Sequence, residues 1–257
     1  MIQKPLIWAF FDNRTGNRNQ LYGILNELKL PYKKIEICYN KYSFLPNIFL
    51  QSFNNFLHVE NSKILFEKSN PNILISCGRR TAPIALSIAD KMKERPFSIQ
   101  IMYPTLTLKK SSFDLIITPE HDNISRLNNN ISTLGTPNQI KALIKKEKIK
   151  LNLKKTDRPV ITLLVGGNHS FYKINSKMIR DIFNFINKKL KNKGSILVST
   201  SRRTSQDVRL AINEIKKTYN NIKRIYHPIL GDKKNPLISF LKASDEVVVT
   251  GDSMSMV

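Results

Sequence analysis

The sequence predicts an α/β protein of two parallel, doubly wound, Rossmann-like sheets. Three observations predict it. Short β-rich apolar runs alternate with helical patterns along all 257 residues. The alternation restarts after a lysine-rich stretch near residue 150. Six of the strands are followed at once by Gly, hydroxyl, Arg or acidic residues, three in each half. In parallel sheets such strand ends carry the ligand sites.

Leu6–Phe11 is apolar throughout and reads as a buried strand, with a helix over Asn17–Leu28. Lys34–Tyr39 alternates with period two, as a half-buried strand does. Ser43–Leu57 carries Phe44, Phe49, Phe53 and Phe56 at spacings that predict an apolar helical face. Ile73–Ser76, Phe97–Met102, Leu115–Thr118 and Ile131–Leu134 read as strands, and Pro83–Lys93 as a helix opened by proline. Pro137–Arg158 is rich in lysine and reads as a short helix and then a linker, so a boundary is expected near 150–157. Beyond it come strands at Val160–Val165, Ser195–Ser199, Lys223–Tyr226 and Glu246–Thr250. Helices are expected at Ser176–Leu190, Gln206–Tyr219 and Pro236–Lys242. The expected domains are residues 1–150 and 158–257.

Composition narrows the function. Lys and Arg number 42 against 19 Asp and Glu, a net charge of +23. That excess points to nucleic acid, an anionic membrane or a phosphorylated small molecule. The abundance of Lys, Asn and Ile is also what an AT-biased coding sequence produces, and no block of five or six basic residues occurs. Aromatics do not interleave with basic residues in any run, so nucleic acid is not expected as a partner. Two cysteines exclude a disulfide framework, and four scattered histidines support no helical metal pair. No metal or resident cofactor is expected. The apolar run at the start is too short for a signal peptide, and none reaches the ~20 residues of a membrane span. A cytoplasmic protein is the expectation, with peripheral contact to the inner face of an anionic membrane as an extension of it.

The strand-end motifs supply the candidate site. Asp12-Asn13-Arg14-Thr15-Gly16-Asn17 follows the first strand. Gly16 would permit a tight turn, and the helix after it offers N–H groups to an anion. Asp12 could serve as a general base; Asp12 or Asn17 could instead only cap the helix. Cys77-Gly78-Arg79-Arg80-Thr81 follows the third strand as an anion-binding turn or a solvated charge pair. Cys77 reads as a buried filler. Pro119-Glu120-His121-Asp122 puts titratable groups at a strand tip, as an acid/base pair or a polar turn. In the second half, Gly166-Gly167-Asn168 lets backbone approach a phosphate closely. Ser201-Arg202-Arg203 offers donors to a diphosphate, and Thr250-Gly251-Asp252-Ser253 would face an anion at a helix start. Each motif alone is weak; their shared position at strand ends carries the argument.

Together the runs DNRTGNRNQ, ISCGRRTAP, PEHD, LVGGN, TSRRT and VVTGDSMSMV resemble the elongated-mitochondria (mitochondrial fission protein) family, in order and over essentially the whole chain. Asn13 and Thr15 depart from the glycine and proline of the usual first run. The resemblance implies a GT-B-like fold of two Rossmann-like domains and, for bacterial members, glycosyltransferase activity. It implies a nucleotide-sugar donor side at Gly166, Gly167, Asn168, Ser201, Arg202, Arg203, Thr250, Gly251, Asp252 and Ser253. The acceptor side would comprise Asp12, Arg14, Gly16, Asn17, Gly78, Arg79, Arg80, Glu120 and His121. The resemblance transfers no catalytic residue; from its strand-tip position, Asp12 or Glu120 is the expected base if the reaction inverts. The alternative is a non-catalytic adaptor, as in plant members. The GT-B comparison also leads to the expectation that the second domain is incomplete, since the sequence stops where a helix should follow its last strand.

Overall fold

A computed structural model of the chain describes residues 4–52, 56–60, 70–104, 113–122, 124, 128–149, 151–168, 172–191, 193–230 and 235–251. It divides into two units, Met1–Gln139 and Ile140–Val257.

In the first unit, β1 (Ile7–Phe11) is buried at every position, which suits only an interior strand covered on both faces. Side-chain alternation splits it. Trp8 and Phe10 join Leu74, Ile84, Ala85 and Ile88 on one face. Ile7, Ala9 and Phe11 join Leu21, Leu25, Ile75 and Ile101 on the other. Helix α1 (Thr15–Leu28) therefore covers one face and α3 (Ala82–Lys91) the other. The remaining strands are β2 (Tyr32–Glu36), β3 (Ile73–Cys77), β4 (Phe97–Ile101), β5 (Leu115–Pro119) and β6 (Asn130–Thr133). All pair in parallel in the order β2-β1-β3-β4-β5-β6.

Two elements differ from the sequence pattern. Strand β2 ends at Glu36, and Tyr39 instead forms an antiparallel bridge with Val59. The aromatic stretch 43–57 is not one helix: a single turn at Lys41–Phe44 precedes a short α2 (Asn47–Ser52), with Pro46 between them. Pro46 has no N–H to continue a helical ladder, and Phe44 and Phe49 are left exposed. Phe53 lies outside the described residues.

In the second unit, β7 (Val160–Val165), β8 (Ser195–Thr200), β9 (Ile222–Tyr226) and β10 (Glu246–Val249) form a parallel sheet in the order β10-β7-β8-β9. Helices α5 (Ser176–Leu190) and α6 (Gln206–Thr218) bury Ile179, Phe183, Ile186, Val208 and Ile212 against Ile161, Leu163 and Val198. The other face holds Val160, Leu197 and Phe240 of α7 (Leu237–Ala243), with Leu151 and Leu153 packed against them. Helix α4 (Ile140–Lys146) contacts α7. The basic stretch before β7 is thus anchored in the second unit by its leucines while its lysines face solvent. Among the described residues no helix is long and apolar enough to cross a membrane.

Phe183 is fully buried and Phe185, two positions on, is 64% exposed. Phe183→Ala should cost about 3–5 kcal/mol and Phe185→Ala within about 0.5 kcal/mol. Urea unfolding followed by circular dichroism checks this; equal midpoints for the two variants would contradict the assigned helix face.

Candidate functional site

Each sheet reverses its direction of growth once. In the first unit the chain runs from β1 out to β2, then returns to lay β3 on the other side of β1. In the second it builds β7, β8 and β9 outward and then returns β10 to the far side of β7. At such switch points the loops leaving adjacent strands diverge and a crevice opens at their carboxyl ends.

The first crevice has a volume of about 390 Å³ and is lined by Arg14, Asn17, Gly78, Arg79, Asp122 and their neighbours Met102, Tyr103 and Ile124. Asp12 builds its rim. Its Oδ1 accepts from the Arg14 N–H at 3.0 Å and its Oδ2 from the Asn17 side-chain amide at 2.8 Å. Arg18 reaches back to the Asp12 carbonyl at 3.1 Å and to Glu36 at 2.8 Å. The β1–α1 turn is thereby tied to its own helix and to β2. Gly78 meets this turn from β3 with φ +86, and a Cβ there would lie 2.5 Å from the Asn17 amide nitrogen. Both the backbone angle and the space require glycine. Gln100 braces the second wall, its amide donating to the carbonyls of Gly78, Ile101 and Met102 at 3.1, 2.8 and 3.1 Å.

Burial shapes the titration of these groups. Asp12 is 2% exposed, and burial raises its carboxyl above the ordinary range, against the opposing bonds from Arg14 and Asn17 and the charges of Arg14 and Arg18. Burial, then the Asp12 charge, raises the Tyr39 hydroxyl. Burial likewise raises the Cys77 thiol, which suits a filler rather than a nucleophile. Arg80 is lowered by burial and then by the like charges of Arg79 and Arg14.

Several residues expected at this site are placed differently. Arg80 is buried behind the crevice, its guanidinium donating to the Leu45 carbonyl while its own carbonyl faces His58 Nε2 at 3.1 Å. Gly16 lies within the first turn of α1, exposed, with open space around it; no tight turn requires it. Glu120 and His121 stand exposed in a short turn and are not among the lining residues; their neighbour Asp122 is, 3.7 Å from His121 Nε2. Met102 and Tyr103, after β4, were not expected. Their signal was the same one used elsewhere: they directly follow a strand.

The second switch point is closed by a direct bond: the Gly166 N–H donates to Thr250 Oγ1 at 2.8 Å, joining the loops after β7 and β10. Gly167 lies against the Arg203 backbone, where any Cβ would overlap the carbonyl group. Thr204 locks this approach. Its hydroxyl donates to the Gly166 carbonyl and accepts from the Ser201 N–H at 2.9 Å. Ser201 Oγ accepts from the Arg203 N–H at 3.0 Å. Arg202 and Arg203 are exposed at the top of this fold. Asn168 Oδ1 instead accepts from the Ile174 N–H at 3.0 Å, organising its own loop. Gly251 is exposed; Asp252 and Ser253 lie outside the described residues. His227 adds to the residues that the sequence motifs single out. It follows β9 and bonds Thr200 Oγ1 through Nδ1 at 3.0 Å, so it belongs to the same row of strand-end groups. Among the described residues no three His, Cys, Asp or Glu side chains converge as a metal site.

The raised Asp12 pKa has a definite pH signature. The folded chain holds this proton to higher pH than the unfolded chain does. The carboxylate therefore costs stability above its folded pKa, and that cost vanishes as pH falls through it. Asp12→Asn carries no charge, so it should lose stability relative to wild type as pH drops through that value. Paired thermal melts from about pH 7 to about pH 4 check this; parallel curves would rule out the raised pKa.

Comparison with known proteins places this geometry. The UDP-GlcNAc 2-epimerase structure from Methanocaldococcus jannaschii aligns with a TM-score of 0.51 and 14% identity, over 95% of this chain and 78% of that one. The S. aureus MnaA–UDP co-structure gives 0.52 and 11%, over 96% and 74%. The Neisseria meningitidis UDP-GlcNAc 2-epimerase bound to UDP-GlcNAc gives 0.51 and 14%, over 96% and 78%. The fold is therefore that of the GT-B-type, Rossmann-like proteins. In sequence, the uncharacterized protein RP120 of Rickettsia prowazekii is 28% identical over 97% of this chain and 78% of its own length. The mitochondrial fission protein ELM1 of Arabidopsis thaliana is 26% identical over 75% of this chain and 49% of its own length. The family model described as mitochondrial fission ELM1 matches residues 15–257, and the chain belongs to that family.

Proposed function

We propose that the chain is a glycosyltransferase that takes its sugar from a nucleoside diphosphate and passes it to an envelope or lipid-linked acceptor. The observation that carries this is the second switch point, where the Gly166–Thr250 bond and the Gly167–Arg203 approach build a backbone cradle topped by two guanidiniums. The amides of Gly166, Ser201 and Arg203 are engaged within the fold, so the donors this arrangement offers a diphosphate are the two exposed guanidiniums. The UDP and UDP-GlcNAc named for the structural neighbours support a nucleotide sugar as its ligand.

In this reading Arg202 and Arg203 stabilise the leaving diphosphate as charge develops on it. The first unit's crevice takes the acceptor. Asp122 is the carboxylate on its lining and would take the acceptor hydroxyl proton in an inverting displacement. Asp12, whose carboxylate oxygens both accept bonds from the turn, acts by positioning Arg14 and Asn17. The second reading, a non-catalytic adaptor, is favoured by the likeness to the Arabidopsis fission protein. The cradle distinguishes them, because an adaptor does not need it to bind nucleotide.

Isothermal titration of the protein with UDP and UDP-sugars should show saturable binding. Arg203→Ala should weaken it about 10- to 100-fold, and Gly167→Val should remove it while leaving α/β circular dichroism intact. No binding by any nucleotide would overturn the transferase reading and leave the adaptor.

A further inference from the structure

We propose that the acceptor held in the first unit's crevice carries a phosphate monoester, gripped by Arg14 and Arg79 with Arg80 behind them. Calling the ligand an acceptor rests on the transferase reading; the anion site itself does not.

Arg14 and Arg79 line the crevice, and among the described residues neither has an ion-pair partner. Arg80 is 9% exposed, and its described guanidinium bond goes to a neutral carbonyl. A guanidinium buried without a carboxylate is costly, and buried Arg80 also feels the like charges of half-buried Arg79 and exposed Arg14. Among the described residues, Asp12 and Asp122 are the carboxylates placed at the crevice by bond or lining. Asp12 is buried and already bonded to the turn at both oxygens. Asp122 is a single lining carboxylate with His121 beside it. Positive charge therefore remains in excess at the opening. The helix behind it adds to this: α1 has no acidic residue in its first turn and no side-chain cap on its amides.

The choice of phosphate follows from geometry and charge. One guanidinium fork satisfies one carboxylate, whereas a phosphate dianion offers three oxygens and nearly two charges. A crevice of about 390 Å³ is within the range of small-ligand sites, so there is room beside the phosphate for the group that bears the accepting hydroxyl. Free sugar or polyol phosphates and the phosphate of a lipid headgroup share this chemistry.

The test is calorimetric titration of the full chain with glycerol 3-phosphate and, separately, flotation with phosphatidylcholine vesicles with and without phosphatidic acid. Glycerate serves as the carboxylate control. Binding is expected in one phosphate arm: a response to glycerol 3-phosphate marks a soluble acceptor, and a response confined to phosphatidic acid marks a lipid-borne one. Arg79→Ala and Arg14→Ala should each weaken it about tenfold or more. Arg79→Ala spares the backbone carbonyl that accepts from Asn47. Lys177→Ala removes an exposed charge from the second unit and should change nothing. Gly167→Val should also leave phosphate binding intact, which separates this site from the nucleotide cradle. Absence of binding in both phosphate arms overturns the proposal. So does equal affinity for glycerate, or an undiminished response in both arginine variants. Loss of UDP binding alone removes the transferase reading and leaves the anion site standing.

Discussion

A parallel sheet that grows outward from an interior strand in both directions must part its loops at that strand. The loops leaving β1 and β3 follow chains that go on to opposite sides of their sheet, and β10 returns beside β7 after the chain has built β8 and β9. Nothing in the ladder fills the gap at such a point: the first unit's crevice opens there, and the Gly166–Thr250 bond bridges the second. The ladder is rigid because its central strands are buried on both faces, as the unbroken burial of β1 and β7 shows. The crevice walls are therefore set by the strands, while only the loop chemistry is left to vary.

The two switch points use that freedom differently. The second is drawn tight by backbone: a threonine hydroxyl on a glycine amide, and a glycine against the Arg203 carbonyl. The first is held open by side chains, with a buried carboxylate fastening the β1–α1 turn and Gln100 fastening the loops after β3 and β4. Asp12 resembles a catalytic acid when read as a letter in a motif. In the structure it is buried and fastens the turn, one oxygen on the Arg14 N–H and the other on the Asn17 amide.

Charge takes on a more local meaning in the structure. A net +23 spread over 257 residues says little about one ligand. Many lysines are solvated surface groups, as on α4 and the stretch before β7, and several pair with acids, as Lys223 does with Asp157 at 2.9 Å. The informative charges are few. They are the guanidiniums of Arg14 and Arg79 on the crevice lining, with buried Arg80 behind them and, among the described residues, no ion pair to either lining arginine.

Much of the fold was legible in the sequence, because strand and helix periodicity are local patterns. The uniform apolarity of Ile7–Phe11 and Val160–Val165 marked interior strands, and the restart near residue 158 marked a second sheet. The polar motifs after the strands also identified the loops that matter. Their ranking depended on strand order, which pairs residues far apart in the chain and leaves no trace in local spacing. Only tertiary structure turned Asp12 and Arg80 inward and brought Asp122 rather than Glu120 to the lining. It also set Gly78 against Asn17 and joined Gly166 to Thr250 across 84 positions. The sequence by itself determined which segments could be strands and which residues could bind an anion. The parallel pairing of those strands decided which of those residues share a crevice, because a crevice belongs to two loops at once.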